Sequence, residues 1–312
     1  MAPDYLSSHS YTETVKFHVL MTTHNRVEHT RKCLQVLDES LNQAGAKAQL
    51  YLVDAASTDQ TLDEASRVWA RPLVSLSESD QTFWAGGMEL AESLAWRSNS
   101  VHDSDYLMWL NDDVFLDGDA LLRATAVIEG GDASKPAVFV GALRGSSGSV
   151  TYGGIKRSAL NPLGIKMIKP NSSPQAVDTF HGNFVLVPAL LAKQLAPIDG
   201  AYGHHMADID YGIRSTKAGY RNVLMPGTYG VCDTSEAELS SLADAWRHYL
   251  SIRGGGHWPT RRRFMVKHSA LPSTPLLLAM DVVHFARLLI FRPTKLVRWV
   301  LRLPEKVGPT NG

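Results

Sequence analysis

Asn111, Asp112 and Asp113 follow directly on the run Tyr-Leu-Met-Trp-Leu at residues 106–110. Apolar and aromatic residues in an unbroken row suit a strand buried on both faces. Two adjacent carboxylates at the end of such a strand are costly unless something neutralises them. A divalent cation does so, and a hard cation takes oxygen ligands. A polar turn uses the same residue types, so this stretch alone divides evenly between the two readings. Other aspartates share its setting. Asp54 closes a second apolar run, where an acid can accept hydrogen bonds from a nucleobase or ribose. Asp59, just beyond, better suits an acid at a helix N-terminus. Asp208 and Asp210 open a helical segment, where one of them can serve as the N-cap. For Asp210 a structural and a site role weigh equally. His204 and His205 stand close before them. Adjacent histidines are more often surface or supporting residues, and His204 is kept as a weak candidate for a metal or phosphate contact.

The elements that must position these residues alternate. A strand over 16–21 ends in Thr22-Thr23-His24-Asn25-Arg26, and a helix over 27–42 follows, with Gly45 past its end. A strand over 49–53 ends in Asp54-Ala55-Ala56-Ser57-Thr58-Asp59, before a helix over 61–69. A strand over 73–76 leads through Phe83-Trp84-Ala85-Gly86-Gly87 to a helix over 88–99. The strand at 106–110 is followed by a helix over 118–128. This alternation predicts a mostly parallel sheet with helices on both faces. Ligands of such sheets bind outside the carboxyl ends of the strands, and each polar cluster named so far sits at such an end. Phe83 and Trp84 can be core packing with the glycines turning into the helix, or Gly86 and Gly87 can let the backbone approach a ligand.

The second half reads differently. A strand over 137–143, a turn at 145–148 and an extended piece over 150–154 precede a loop with Pro162, Gly164, Pro170 and Pro174. Residues 178–188 read as one buried strand that opens on polar residues. His181 and Asn183 are among them and are candidates for contact with an acceptor or a diphosphate. A helix over 190–195 and another ending near 218 follow, with Gly219 as its stop, then a strand over 221–225.

At 312 residues the chain has room for one large domain or two modest ones. Its 44% hydrophobic and 20% charged content is that of a globular protein. A formal net charge of +0 argues against nucleic acid as a partner. Cys33 and Cys232 match no metal motif and no disulfide scaffold, so a reducing, cytoplasmic setting is expected. No charged-then-apolar leader opens the sequence. Residues 276–291 are apolar but interrupted by Asp281, His284 and Arg287, which is too short and too broken to span a bilayer. There is no Gly-x-Gly-x-x-Gly after the first strand and no Walker-type Gly-Lys-Ser/Thr, which disfavours dinucleotide-binding and P-loop domains. No Ser nucleophile elbow and no Cys-His pairing is apparent.

Taken together, the motifs resemble those of the inverting glycosyltransferases of family 2, which have the GT-A fold. The resemblance covers roughly residues 16–233. Thr22-Thr23-His24-Asn25-Arg26 is similar to that family's Thr-Tyr-Asn-Arg opening, and Val53-Asp54-Ala55-Ala56-Ser57-Thr58-Asp59 to its Val-Asp-Asn-x-Ser-x-Asp. Phe83 to Gly87 resembles its aromatic-Gly segment. Asn111-Asp112-Asp113 stands where it has Asp-x-Asp, and Asp208 falls on the Asp of its Glu-Asp motif, with Arg214 and Gly219-Tyr220 trailing. Ala55, Asn111 and Ala207 depart from the pattern. The combination looks like a bacterial branch that builds surface polysaccharides, with rhamnosyltransferase-like members.

The resemblance implies a UDP-, dTDP- or GDP-linked sugar donor and a glycan or lipid-linked acceptor. It implies Mg²⁺ or Mn²⁺ held by Asp113, with Asp112 on ribose or metal. Thr22, Asn25, Arg26, Asp54, Ser57, Asp59, Trp84, Gly86 and Gly87 would contact the donor. Asp208 would be the base that takes the acceptor's proton, and a carboxylate at a helix start suits that role. The predicted organisation is a loosely ordered 1–14, a GT-A domain over 15–240 with nucleotide-binding (15–130) and acceptor (131–240) halves, and a basic helical extension over 241–312. In that extension Trp246, Arg247 and Arg253 precede Gly254-Gly255-Gly256, a linker or a lid that closes on the diphosphate. Residues 276–302 set apolar stripes beside Arg287, Arg292, Lys295, Arg298 and Arg302, a pattern for an anionic membrane surface. A dimer interface, or a helix packed on the domain, explains the stripes as well. The rival readings are a nucleotidyltransferase, which usually has a Gly-rich basic opening loop that residues 22–26 lack, and a non-catalytic sugar or nucleotide-binding module. A glycoside hydrolase also uses paired carboxylates, but the alternating sheet gives it little support.

Overall fold

The computed structural model describes residues 15–131, 136–158, 161, 163–195, 197–234, 241–269 and 272–291. The N-terminal stretch 1–14, and the basic residues from Arg292 onward, lie outside the described residues.

The first half alternates as expected. It comprises β1 (Lys16–Thr23), α1 (Val27–Gln43), β2 (Lys47–Asp54), α2 (Thr61–Val68), β3 (Leu73–Ser77), α3 (Trp84–Arg97) and β4 (Tyr106–Leu110). Its strands are all parallel, in the order β3-β2-β1-β4. Strand alternation builds the layers. Phe17, Val19 and Met21 of β1 join Leu34, Leu37 and Leu41 of α1 in one core. Leu20 points the other way, into a second core with Ala85, Met88, Ala91 and Ala95 of α3. Small residues on that face of α3 let the helix lie close to the sheet.

α3 begins four residues before the expected start at 88, so Trp84 to Gly87 form its first turn and not a loop. The glycine there has a packing reason. A Cβ on Gly87 would lie 2.2 Å from Thr22 Oγ1. Gly87→Ala is therefore expected to cost about 1–3 kcal/mol through overpacking. Chemical denaturation would show it as a lowered midpoint, and an unchanged midpoint would refute this reading.

The second half comprises β5 (Phe115–Leu116), α4 (Ala120–Glu129), β6 (Ala137–Arg144), β7 (Val150–Tyr152), β8 (Gly154–Arg157), β9 (Ile165–Met167), β10 (Gln175–Val177), β11 (Thr179–Phe180), β12 (Phe184–Pro188), α5 (Ala189–Gln194), α6 (Ala207–Lys217) and β13 (Arg221–Val231). β12 inserts antiparallel between β4 and β6, and β13 runs parallel to β6. One ten-stranded sheet thus passes through both halves, parallel in the first and mixed in the second. β11, β8 and β9 form a separate three-stranded sheet.

The extended piece over 150–154 is two strands, parted at Gly153 with φ 154. The single strand expected over 178–188 is also two. β11 belongs to the small sheet and β12 to the large one, so the chain changes sheets at 181–183. Both pieces are buried where they pair, and a run of buried residues does not say which sheet it joins. The break leaves His181, Gly182 and Asn183 in a loop at the edge of β4.

Beyond residue 240 come α7 (Leu242–Leu250), α8 (Trp258–His268) and α9 (Ser273–Phe291). Asp281 of α9 accepts hydrogen bonds from Tyr249 Oη (2.8 Å) and Trp258 Nε1 (2.7 Å), and pairs with the buried Arg261. The glycine run is packed as a turn at the end of α7. A Cβ on Gly254 would meet His248 O at 2.0 Å, and one on Gly256 would meet the Tyr249 ring at 2.3 Å. Gly254 and Gly256 let a tight turn pack on the end of α7, whereas a Cβ on Gly255 would meet nothing within 4 Å.

Candidate active site

The acidic pair at the end of β4 is held from one side by the loop after β1. Thr23 Oγ1 donates to Asp112 Oδ2 at 2.8 Å, and Thr30 Oγ1 lies 3.0 Å from Thr23 Oγ1. Arg26 Nη1 reaches both carboxylates, Asp113 Oδ2 at 2.6 Å and Asp112 Oδ1 at 3.4 Å. Asp112 is buried and Asp113 partly open. Burial pushes the Asp112 carboxyl up to about 6; Arg26 pulls against this, and the charge of Asp113 adds to it. Cys232, at the end of β13, closes the floor with Sγ 3.6 Å from Asp113 Oδ1.

From the other side the pair is linked to Asp208. The Trp84 indole Nε1 donates to Asn111 Oδ1 at 2.8 Å. The Asn111 N–H in turn donates to Asn183 O at 3.1 Å. Gly182 lies between Trp84 and Asp208: a Cβ there would be 2.7 Å from Trp84 Cη2 and 3.1 Å from Asp208 Cβ. The Gly182 N–H donates to Asp208 Oδ2 and the Ile209 N–H to Asp208 Oδ1, each at 2.8 Å. Met206, just ahead of α6, has φ 73, a left-handed conformation that non-glycine residues rarely adopt. Such strain gathers at functional sites. His181 packs edge-on to Tyr152, with ring centroids 5.6 Å apart. Burial lowers the His181 imidazole against the opposing charge of Asp208. Burial raises the Tyr152 phenol to about 12, with Cys232 and Asp113 adding to it. Both rings therefore lie within electrostatic reach of the carboxylates.

The loops after β1 and β2 interlock beside this cluster. Ser57 Oγ accepts from the Asn25 N–H, and Asn25 Oδ1 accepts from the Thr58 N–H, each at 2.8 Å. Asp54 is buried and spends both oxygens on the N–H and hydroxyl of Ser57. Asn25 and Ala56 both hold positive φ here, at 50 and 55. Asp59 accepts from the N–H of Val27 (3.1 Å) and of Thr61 (3.2 Å), and so satisfies the first N–H of α1 and of α2 together. Burial works against its ionisation, but these bonds and that of the Thr61 hydroxyl win and lower its pKa.

No protein-family model and no curated protein matches the sequence. Solved structures do. The crystal structure of S. aureus TarS aligns with 93% of this chain at 14% identity and a TM-score of 0.50; this chain spans 46% of the TarS chain. A TarS fragment, residues 1–349, aligns over 93% of this chain and 76% of its own at 13% identity and a TM-score of 0.49. The mannosyltransferase PcManGT from Pyrobaculum calidifontis, solved with GDP-Man and Mn²⁺, aligns over 93% of this chain and 79% of its own at 17% identity and a TM-score of 0.49. The fold is GT-A.

Within the GT-A sheet the predicted residues separate into groups. Arg26, Asp112, Asp113, Trp84 and Asp208 converge through the contacts above, with His181 and Asn183 in the loop between them. Asn25, Asp54, Ser57 and Asp59 form the adjoining double loop. Thr22 faces Gly87, and Gly86 faces the turn at Gly200, whose Cβ would come within 3.2 Å of the Gly86 Cα. His204 packs against His205, whose Nε2 donates to Arg253 O at 2.5 Å. Packing around its ring, then the positive charge of His205, Arg253 and Arg26, lowers the His204 imidazole to about 4. It is therefore neutral at pH 7, with a lone pair to offer.

Three predicted residues stand elsewhere. Asp210 is fully buried and is bound by Arg214, Lys267, His268 and Tyr202, which tie α6 to α8. Trp246 stacks on Tyr249 and meets Phe285 of α9 edge-on. Arg247 is exposed and pairs with Asp244 in its own helix. The sequence reading, for its part, missed Thr23, Tyr152, Gly182 and Cys232. Thr23 stood inside a noted motif. Tyr152, Gly182 and Cys232 carry no local signal, since only the sheet order brings them to Asp113 and Asp208.

Proposed function

We propose that this protein transfers a sugar from a nucleoside-diphosphate donor to a hydroxyl of a glycan or lipid-linked acceptor, with inversion at the anomeric carbon. Cell-surface polysaccharide synthesis in the manner of family 2 glycosyltransferases, with a rhamnosyl or hexosyl donor, is the setting that best suits its motifs. The observation that carries this reading is the chain Asp208–Gly182–Trp84–Asn111, which ends on Asp112 and Asp113. It links the Asp208 carboxylate, which the proposal makes the base, to the acidic pair at the carboxyl edge of the GT-A sheet.

The acidic pair suits a hard divalent cation. Its donors are carboxylate oxygens, and both already converge on one positive group, Arg26 Nη1. Among the described residues no cluster of three or more His, Cys, Asp or Glu side chains could hold a metal alone. Asp113, backed by Asp112, would therefore hold such a cation only together with the donor, since the pair alone offers too few ligands. When bound, such an ion neutralises the charge that grows on the leaving diphosphate.

The protein's own groups do the rest. Arg26 faces the diphosphate side of the carboxylates. The double loop at Asn25, Asp54 and Ser57 forms the wall for base and ribose. Asp208 takes the proton of the acceptor hydroxyl while that oxygen bonds to the anomeric carbon. The bond from that carbon to the diphosphate breaks in the same step, and its electron pair leaves with the nucleotide.

A thermal-shift series with UDP, GDP and dTDP, each with and without Mn²⁺, tests the donor site. One nucleotide is expected to stabilise the protein only when Mn²⁺ is present, by about 2.7 kcal/mol at a hundredfold excess over Kd. Asp113→Ala should abolish the metal-dependent part. Stabilisation by none of the three, or equal stabilisation without metal, would overturn the reading.

A further inference from the structure

α9 turns Asp281 and His284 inward beside the buried Leu277 and leaves a broad apolar face outside. Asp281 and His284 face the protein: Asp281 is held by Tyr249, Trp258 and Arg261, and His284 stacks on Tyr249 with ring centroids 3.8 Å apart. The outward face is apolar. Leu278, Val282, Val283 and Ile290 are each more than half exposed, at 52%, 68%, 51% and 61%, and Phe285 is exposed beside them. Ala279 and Ala286 fill the gaps between them and are exposed too. A helix on a globular surface normally shows the reverse arrangement. An apolar patch of this kind marks a surface that meets something other than water.

The surrounding charge says what that is. Arg287 is exposed on the same helix. In sequence α9 runs directly into Arg292, Lys295, Arg298, Arg302 and Lys306, against which stands only Glu305. We propose that the outward face of α9 docks on an anionic lipid surface. The aliphatic side chains enter the boundary between headgroups and acyl chains, Arg287 meets the lipid phosphates, and the net positive charge of the sequence that follows favours an anionic surface. The helix would lie on the membrane and not cross it. No helix among the described residues is long and apolar enough to span a bilayer, and the Asp281 network keeps α9 fastened to α7 and α8. A second copy of the chain would cover the apolar face as well, but the positive excess in the sequence after α9 disfavours self-association and favours an anionic partner. Docking does not depend on the sugar-transfer reading, although it would carry the site to a lipid-linked acceptor.

Flotation of the full chain with lipid vesicles tests this. The protein is expected to float with vesicles rich in phosphatidylglycerol and to stay behind with phosphatidylcholine alone. Added salt should weaken the association. The double variant Leu278→Ser, Val282→Glu should lose at least about tenfold in vesicle affinity. Its thermal midpoint should hold, because both side chains are exposed. Arg287→Glu should weaken binding to the anionic vesicles without touching the apolar face. Absence of flotation with anionic vesicles, or flotation unchanged in the double variant, would overturn the proposal. So would a dimer in sedimentation equilibrium that the double variant dissolves, since a second copy would then be the occupant.

Discussion

Asp208→Asn is expected to lower sugar transfer by about 10²–10⁴-fold, the usual worth of a positioned general base, while nucleotide binding is kept. The reason is geometric. Asp208 is held by two backbone N–H groups, from Gly182 and Ile209, and sits against Gly182, which also touches Trp84. An amide has the same shape, but its one oxygen satisfies only one of those N–H donors and it cannot take the acceptor's proton. The residues proposed to hold the nucleotide lie on the ends of β1, β2 and β4, across Trp84, and do not rest on the Asp208 charge. Single-turnover kinetics with the donor and calorimetry with the nucleoside diphosphate separate the two properties. Wild-type turnover in the variant would remove Asp208 from the mechanism. A parallel loss of nucleotide affinity would make it a donor ligand instead.

Asp210→Ala is expected to cost about 3–5 kcal/mol of stability, the scale found when one partner of a buried ion pair is removed. Asp210 is fully buried, and Arg214 Nε (2.8 Å), Lys267 Nζ (2.8 Å) and His268 Nε2 (2.6 Å) converge on it, with Tyr202 Oη at 3.2 Å. Taking the carboxylate away leaves positive groups crowded in a space that water reaches poorly. Burial alone would raise the pKa of Asp210, but His268, Lys267 and Arg214 overcome it and hold the carboxyl far below its usual range. The sign of the pH effect follows. A depressed folded-state pKa contributes stability above the unfolded value of about 4. That contribution is lost as pH falls below it. Urea denaturation at neutral and at acidic pH should therefore show a gap between wild type and variant that narrows on acidification. A gap that is small at neutral pH, or constant with pH, would contradict the account.

The contrast between these two residues shows where sequence stopped. Asp208 and Asp210 read as one acidic group at a helix start. Residues two apart on an α-helix point about 200° from each other. One therefore faces Gly182 and the acidic pair, and the other faces α8. Which side of α6 is the site depends on what packs against it, and α8 lies some fifty residues further along.

Local chemistry was sufficient for the frame. The apolar runs at β1, β2 and β4, the helices between them and the polar clusters at their carboxyl ends were all legible, because strand and helix periods are properties of neighbours in sequence. So was the pairing of Asp112 and Asp113 with a buried strand. The tertiary structure decided the rest. It split 178–188 between two sheets and so placed the Gly182 N–H on Asp208. It drew Trp84 into α3 and aimed its indole at Asn111. It packed Gly254 and Gly256 into a turn at the end of α7, a stretch that reads in sequence as a linker or a lid. It also showed α9 facing outward with its apolar side. Each of these depends on the partner across a sheet or between helices, and a partner far along the chain leaves no mark on the residues beside it.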